Sequence, residues 1–257
     1  SDNKSLAEVT DCPFIQENSL MAQHLIKTIG MTAGLTTALV FTGMSSQAFA
    51  MSPFQATYQF SYNGKNMGSA TRTLTKSGNN WTYVFAAKAA AIASATETSH
   101  FTFNNGKINS SNFSRSSKVL VNNNTMSIKF NPSSKTIHTK KDDKARSFAW
   151  RDGALDELNA ELQIREDLKA SGLKSNYYIA DAKELEARKF VKQGTENIKT
   201  NYGTFSTMKV VMKHDKPGRE TIFWLAPKLD YLPVKVAHVD KKTSYGLLLT
   251  GYKGPTN

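Results

Sequence analysis

Cysteine occurs once in these 257 residues, at Cys12, ahead of the segment expected to be removed by processing. The processed chain therefore has no disulfide, no thiol nucleophile, no thiolate metal ligand and no cysteine to carry a lipid. Histidine is scarce too. Downstream of the leader, His100, His138, His214 and His238 each stand alone on a different strand-like run, with no H-x-x-x-H or similar ligand spacing. A catalytic serine needs an elbow such as G-x-S-x-G, which is absent. Ser171 and Lys174 match S-x-x-K in letters, but Gly172 interrupts the helical turn that this pairing requires. Glycine-rich phosphate loops, dinucleotide fingerprints, calcium loops and glycosidase-like carboxylate pairs are also missing. No cofactor and no metal is implied.

Long apolar runs are equally rare. The chain from Met21 reads "MAQHLIKTIGMTAGLTTALVFTGMSSQAFA", a short start carrying Lys27, an apolar stretch, and Ala48-Phe49-Ala50 as a small-x-small cleavage site. The stretch is about 15 residues, shorter than the ~20 a membrane span needs, and Gly30 and Gly34 break it. This predicts a secretory signal peptide over 21–50. Residues 1–20 are acidic and lack a starting Met, so they read as an upstream extension outside the native protein. Residues 51–257 are expected to form a single β-rich domain, periplasmic or secreted, and not membrane-spanning after cleavage. Removing 1–50 takes away Lys4 and Lys27 against Asp2, Glu8, Asp11 and Glu17, raising the formal charge from +12 to +14. Export makes nucleic acid an unsuitable partner for so basic a chain. Anionic lipid headgroups or wall polymers suit it.

What is abundant is strand signal. In "ATYQFSYNGKNMGSATRTL", Tyr58, Phe60 and Tyr62 share one face by alternation, Asn63-Gly64 turns the chain, and a second strand runs from about Met67 to Leu74. Further strands are expected at "WTYVFAAK", "SHFTFNNGKI", "TMSIKFNPSSKTIHTK" and "ARSFAW", with "KKDDKAR" as a solvated turn. "AAKAAAIASATE" is expected to be a strand with a bend, despite its helix-favouring alanines. One segment is helical: "GALDELNAELQIREDLKASG", with Asp156 and Glu157 in its first turn, where the helix dipole favours acids, and Gly172 as its stop. Leu155, Leu158 and Leu162 lie on one side and Ile164 and Leu168 nearly opposite, which predicts a helix gripped by a curved sheet. Strand-like runs return from "NYYIAD" to "SYGLLLTGYK". The fold class is mainly β: a curved antiparallel sheet, an open or half β-barrel, around one main α-helix.

The densest cluster of aromatic and turn-forming residues is "TIFWLAPKLDYLPVKVAHVD". Pro227 ends a strand, Asp230 is expected to cap the turn's backbone, and Pro233 opens the return strand. Ile222 and Trp224 oppose Thr221, Phe223 and Leu225, so both faces are apolar and the second needs a cover: helix, edge partner or ligand. The candidate ligand-binding residues are Tyr231, Trp224, His214, His238 and Arg219. No catalytic residue is assigned.

The runs "YQFSYNGKNMGSA", "ALDELNAELQIREDL", "FVKQGTENIKTNYG" and above all "ETIFWLAPKLDYLPVKV" resemble the exported bacterial family known as domain of unknown function 3108, over nearly all of residues 54–253. That resemblance implies export and brings no activity or site residues with it. A looser, fold-level similarity is to periplasmic lipoprotein carriers of the LolA/LolB kind, whose curved sheet wraps a helix around an apolar groove. The function expected is a non-enzymatic periplasmic binding or envelope-maintenance protein, holding an apolar or anionic lipid-like ligand. The alternatives are an envelope hydrolase built from scattered residues such as His214, His238 and Asp230, or a structural partner of another envelope protein.

Overall fold

The computed structural model describes residues 51–213 and 217–257. The expected signal peptide, the upstream extension and His214 lie outside them.

Eight antiparallel strands form the first half of the chain: β1 (Phe54–Tyr62), β2 (Lys65–Ser77), β3 (Asn80–Ala89), β4 (Ala93–Asn104), β5 (Lys107–Val119), β6 (Asn122–Asn131), β7 (Thr136–Lys141) and β8 (Lys144–Ala149). An insert follows, made of β9 (Leu155–Asp156), helix α1 (Asn159–Lys169), β10 (Tyr177–Ala180) and β11 (Leu185–Arg188). The chain then returns as β12 (Phe190–Lys199), β13 (Thr204–Lys213), β14 (Arg219–Ala226), β15 (Leu232–Asp240) and β16 (Thr243–Lys253). β16 pairs with β1, so the two meanders fuse into one 13-stranded sheet running from β12 to β8. The sheet is open: β12 and β8 are its edges, and the insert is the connection between them. Among the described residues no helix is long and apolar enough to cross a membrane.

Alternation sets the inner face. Tyr58, Phe60 and Tyr62 are buried together with Trp81, Tyr83 and Phe85 of β3, as the period-2 pattern predicts. The β1–β2 turn holds Asn63 at φ 45° and Gly64 at φ 80°, the left-handed pair that a two-residue hairpin with the right twist demands. The alanine-rich run differs from expectation. It is two strands joined by a turn, with Ala89 opposite Ala93 and Ala90 at φ 49°. Pairing of the arms with each other, with β2 and with β5 holds both extended and forces Ala90 into the left-handed turn position despite its Cβ.

The helix also starts later than expected. Asp156 is in β9, paired with Ala180, and it caps the helix from outside: its Oδ1 accepts the N–H groups of Leu158 and Asn159 at 2.8 and 2.7 Å. Glu161 is the acid of the first turn. Gly172 stops the helix at φ 92°, its N–H bonding the Asp167 carbonyl at 2.7 Å. Every residue from Asn159 to Asp167 is buried, so polar as well as apolar faces of α1 are enclosed. A helix with no solvent face needs partners for its charges, and the sheet supplies them.

Candidate functional site

Four strands of the inner face carry polar groups where an ordinary core would carry apolar ones: Arg72 on β2, Glu97 and Ser99 on β4, Arg115 on β5 and Thr139 on β7, all buried. Each finds the insert or a neighbour. Arg115 bridges Glu97 and Glu157 at 2.7 and 2.8 Å, Ser99 donates to Asp156 at 2.5 Å, and Arg72 and Arg165 flank Glu161 at 3.7 and 3.5 Å. Asn159 reaches Ser110 at 2.9 Å, and Gln163 accepts from the Ile108 N–H at 2.8 Å. Burial pushes the Glu97 and Asp156 carboxyls up to about 7 and that of Glu161 to about 8, against the pull of their cationic and hydrogen-bonding neighbours. This belt keeps the hydroxyl–carboxyl contact of Ser99 with Asp156 fully buried and shut away from any substrate. Its evident work is to dock α1 in one register.

At the C-terminal end of α1 the interior opens. A cleft of about 440 Å³ lies elsewhere, by Asp142 and Lys183, but the larger one, about 920 Å³, is formed where α1 ends beside the β2–β3 and β4–β5 turns. Met51, Trp81 and Phe103 give it an apolar wall, and Lys76, Lys107, Lys169 and Lys174 a basic lining. Its two acids are already engaged. Glu166 accepts from Lys169 at 2.6 Å, and Asp167 accepts from the Tyr177 hydroxyl and from Gln163 at 2.6 and 2.9 Å. Burial raises the Asp167 carboxyl above its ordinary range, and burial together with Asp167 holds the Tyr177 hydroxyl well above its own. Lys76 lies over the Trp81 ring, 5.1 Å from its centroid, and Lys107 pairs with the exposed Asp152.

The proline corner supports this end of the helix. After β14 the chain makes a 3-10 turn over Pro227–Leu229, then places Asp230 and Tyr231 both at φ 59°. Asp230 does not cap the turn with its side chain, as expected from sequence. The turn's own carbonyls accept its backbone N–H (Pro227, 3.0 Å) and that of Tyr231 (Ala226, 2.8 Å), which frees the carboxylate. That carboxylate meets Lys169 at 3.1 Å, and the Asp230 carbonyl accepts from Arg165 at 2.7 Å. The carboxyl is raised to about 6 by burial, opposed by Lys169 and Arg165. Through Lys169, the corner fixes one cation of the cleft.

The other sequence candidates fall elsewhere. Trp224 lies on the face of β14 turned away from the insert. Lys235 and Lys209 cover its ring at 4.6 and 5.8 Å from the centroid, and its indole N–H donates to Glu196 at 2.8 Å. Lysine stems and a carboxylate thus cover the second apolar face, a role that sequence analysis gave to the helix, an edge partner or a ligand. Flexible stems can close over a gap. Trp224→Ala is therefore expected to lose roughly 1.5–3 kcal/mol, the transfer free energy of a buried side chain, in a urea denaturation series. Tyr231 is half-buried beside it and packs on the core. His238 is buried at the far end of the β14–β15 ladder, 3.1 Å from the Thr221 hydroxyl and stacked on Tyr245, and Arg219 there pairs with Asp240 at 2.6 Å. Arg219, His238, Trp224 and Tyr231 thus divide between the two ends of one hairpin, and Asp230 stands far from His238. Of the cleft residues, sequence singled out Ser171 and Lys174 only as an S-x-x-K match set aside because of Gly172, and Trp81 only through its inward alternation; the others come from separated segments.

A comparison with curated proteins finds no match. Among solved structures, a β-barrel-like protein of the domain of unknown function DUF1849 from Brucella abortus superposes with a TM-score of 0.52 at 11% identity, covering 78% of this chain and 97% of its own. An exported protein with a YmcC-like fold from Bacteroides fragilis gives a TM-score of 0.36 at 12% identity, over 78% of this chain and 95% of its own. The second superposes too loosely to bear on the fold; the first agrees with a barrel-like, open sheet. The family model described as "Protein of unknown function (DUF3108)" matches residues 57–250, and the chain belongs to that family.

Proposed function

We propose that this chain is an exported, non-enzymatic binding protein of the cell envelope that holds an amphiphile with an anionic head in the cleft beside the end of α1. The observation that carries this reading is the pairing of an apolar wall, Met51, Trp81 and Phe103, with lysines at the same opening, in about 920 Å³ of space. An acyl chain against the wall covers the surface that half-buried Phe103 and the lysine stems still show to water, and a carboxylate or phosphate head meets Lys107 and Lys174, whose side chains are 37% and 55% exposed. Because Glu166 and Asp167 already have donors, they leave the lining cationic toward a newcomer. The envelope location rests on the expected signal peptide ahead of Met51, and the non-enzymatic reading on a cleft whose two carboxyls are held by Lys169, Tyr177 and Gln163.

The test is displacement of a fluorescent fatty acid from the purified protein, compared with a long-chain alcohol of the same length. The fatty acid is expected to bind more tightly. Lys107→Glu with Lys174→Glu should weaken it about tenfold, the worth of one charge-assisted hydrogen bond, with an unchanged denaturation midpoint. No uptake by the wild type, or equal uptake by the double variant, would sink the reading.

A further inference from the structure

At the end of the sheet away from the cleft, two neighbouring hairpins put apolar residues at left-handed positions that other hairpins give to asparagine, aspartate, glycine or lysine (Lys135 at φ 52°, Lys241 at φ 56°). The β1–β2, β4–β5 and β7–β8 turns place Asn63, Asn105 and Asp142 at positive φ, the residue types that tolerate it. The β3–β4 and β5–β6 turns use Ala90 at φ 49° and Leu120 at φ 53° instead. A leucine in the left-handed region costs on the order of 1 kcal/mol relative to asparagine or glycine, and nothing inside the fold repays it, because Leu120 points into solvent with 47% of its surface exposed. Val121 beside it is 86% exposed. The two tips are one surface. The Leu120 N–H donates to the Ile92 carbonyl at 2.7 Å, and the Ala90 N–H to the Met67 carbonyl at 2.8 Å. Behind the tips, exposed Lys88 and Lys118 both lie opposite Ser94 across the ladder, on the same side of the sheet. The adjoining β7–β8 tip carries Asp142 and Asp143, outnumbered by Lys140, Lys141, Lys144 and Arg146.

The geometry points to a peripheral docking surface for a bilayer containing anionic lipid, formed by the β3–β4 and β5–β6 tips, with Leu120 and Val121 entering the headgroup layer and Lys88 and Lys118 held above it. Two narrow tips with exposed apolar residues suit a soft interface, whereas a stable protein partner needs a broad matched patch of about 800 Å² per side. The lysines sit where a membrane-entering tip would bring them into the negative surface potential. This site is separate from the cleft.

The experiment is cosedimentation of the processed protein, purified after export, with vesicles of phosphatidylcholine alone and of phosphatidylcholine mixed with phosphatidylglycerol. Binding is expected on the mixed vesicles, much less on the neutral ones, and to weaken with added salt. Leu120→Asn with Val121→Ser should fold at least as stably, since asparagine accepts the left-handed turn, yet lose about fivefold or more in vesicle partitioning. Lys88→Glu with Lys118→Glu should abolish the preference for phosphatidylglycerol. Lys107→Glu with Lys174→Glu in the cleft should leave partitioning unchanged, so this result stands or falls apart from ligand uptake. Equal partitioning of the Leu120/Val121 variant, no binding to anionic vesicles, or wild-type dimers that vanish in that variant without any lipid binding would each overturn the proposal.

Discussion

Arg115→Ala is expected to cost about 3–5 kcal/mol, enough to unfold a domain of ordinary stability. The Arg115 Nε and Nη2 atoms donate to one oxygen of Glu97 at 2.9 and 2.7 Å, and Nη2 also meets Glu157 at 2.8 Å. Both carboxyls are buried, so removing the guanidinium leaves Glu157 without its counterion and drives Glu97, already raised to about 7, further toward its neutral form. Glu97 would take up a proton, and the second carboxylate would stay uncompensated. Arg115→Lys should rescue little, since an ammonium cannot present two parallel donors to Glu97 and reach Glu157 as well. Arg115→Met combined with Glu97→Gln and Glu157→Gln should recover most of the loss, because it removes the charges together rather than one partner of a set. Urea denaturation at neutral pH measures all three. An Arg115→Ala loss below about 1 kcal/mol would show that water reaches the belt and solvates the orphaned acids.

That belt marks the boundary of what the sequence discloses. The β1–β2 hairpin was legible because its alternation and its Asn63-Gly64 turn agree, and local chemistry alone determines both. The α-helix of the described residues was legible from Leu158 and Leu162 on one side and Ile164 nearly opposite. Nothing in the sequence showed that its polar residues would be enclosed, since Glu161, Arg165 and Glu166 are the usual dress of an exposed helix. They are buried because Arg72 on β2 and the Asp230 corner stand opposite them, an arrangement set by contacts more than 60 residues apart in the chain. The same long-range pairing explains Asp156, which occupies a short parallel strand with β10 and caps the helix it was expected to enter.

The site was less legible than the fold, for a related reason. The aromatic corner is the most distinctive stretch in sequence, and distinctiveness there reflects backbone demand: two consecutive residues at positive φ, a proline on each side and a carbonyl given to Arg165. Its contribution to the cleft runs through one ion pair, Asp230 with Lys169. Lys76, Trp81, Phe103 and Lys107, by contrast, sit at ordinary strand ends, where a lysine or an aromatic is unremarkable until the sheet curves and α1 ends beside them. Curvature is a property of the whole sheet, and no window of sequence encodes it.

Stability should fall as pH rises from 6 to 8, opposite to the usual behaviour of a protein held by exposed carboxylate ion pairs. Burial, the largest influence on each group, favours the neutral carboxyl and lifts Glu97 and Asp156 to about 7 and Glu161 to about 8. In the unfolded chain these groups return to roughly 4. The folded state therefore binds more protons than the unfolded one throughout the window between, and the slope of unfolding free energy against pH is negative there. Their stabilising contribution is complete below about pH 4 and is lost as pH climbs through 7 and 8, a loss on the order of 1–2 kcal/mol per group between pH 6 and 8. Lower pH would mix in a second effect, since neutralising exposed carboxylates below about pH 5 unbalances a chain already at a formal charge of +12. Asp156→Asn isolates the cause. The amide oxygen can still accept from Leu158 and Asn159 and its nitrogen can face the Ser99 hydroxyl, so the cap survives while the titration disappears. Urea midpoints taken at pH 6, 7 and 8 should decline for the wild type and decline less steeply for Asp156→Asn. A wild-type midpoint that stays level or rises across that range would mean that the arginines, not burial, govern these carboxyls, and that the belt is fully ionised at neutral pH.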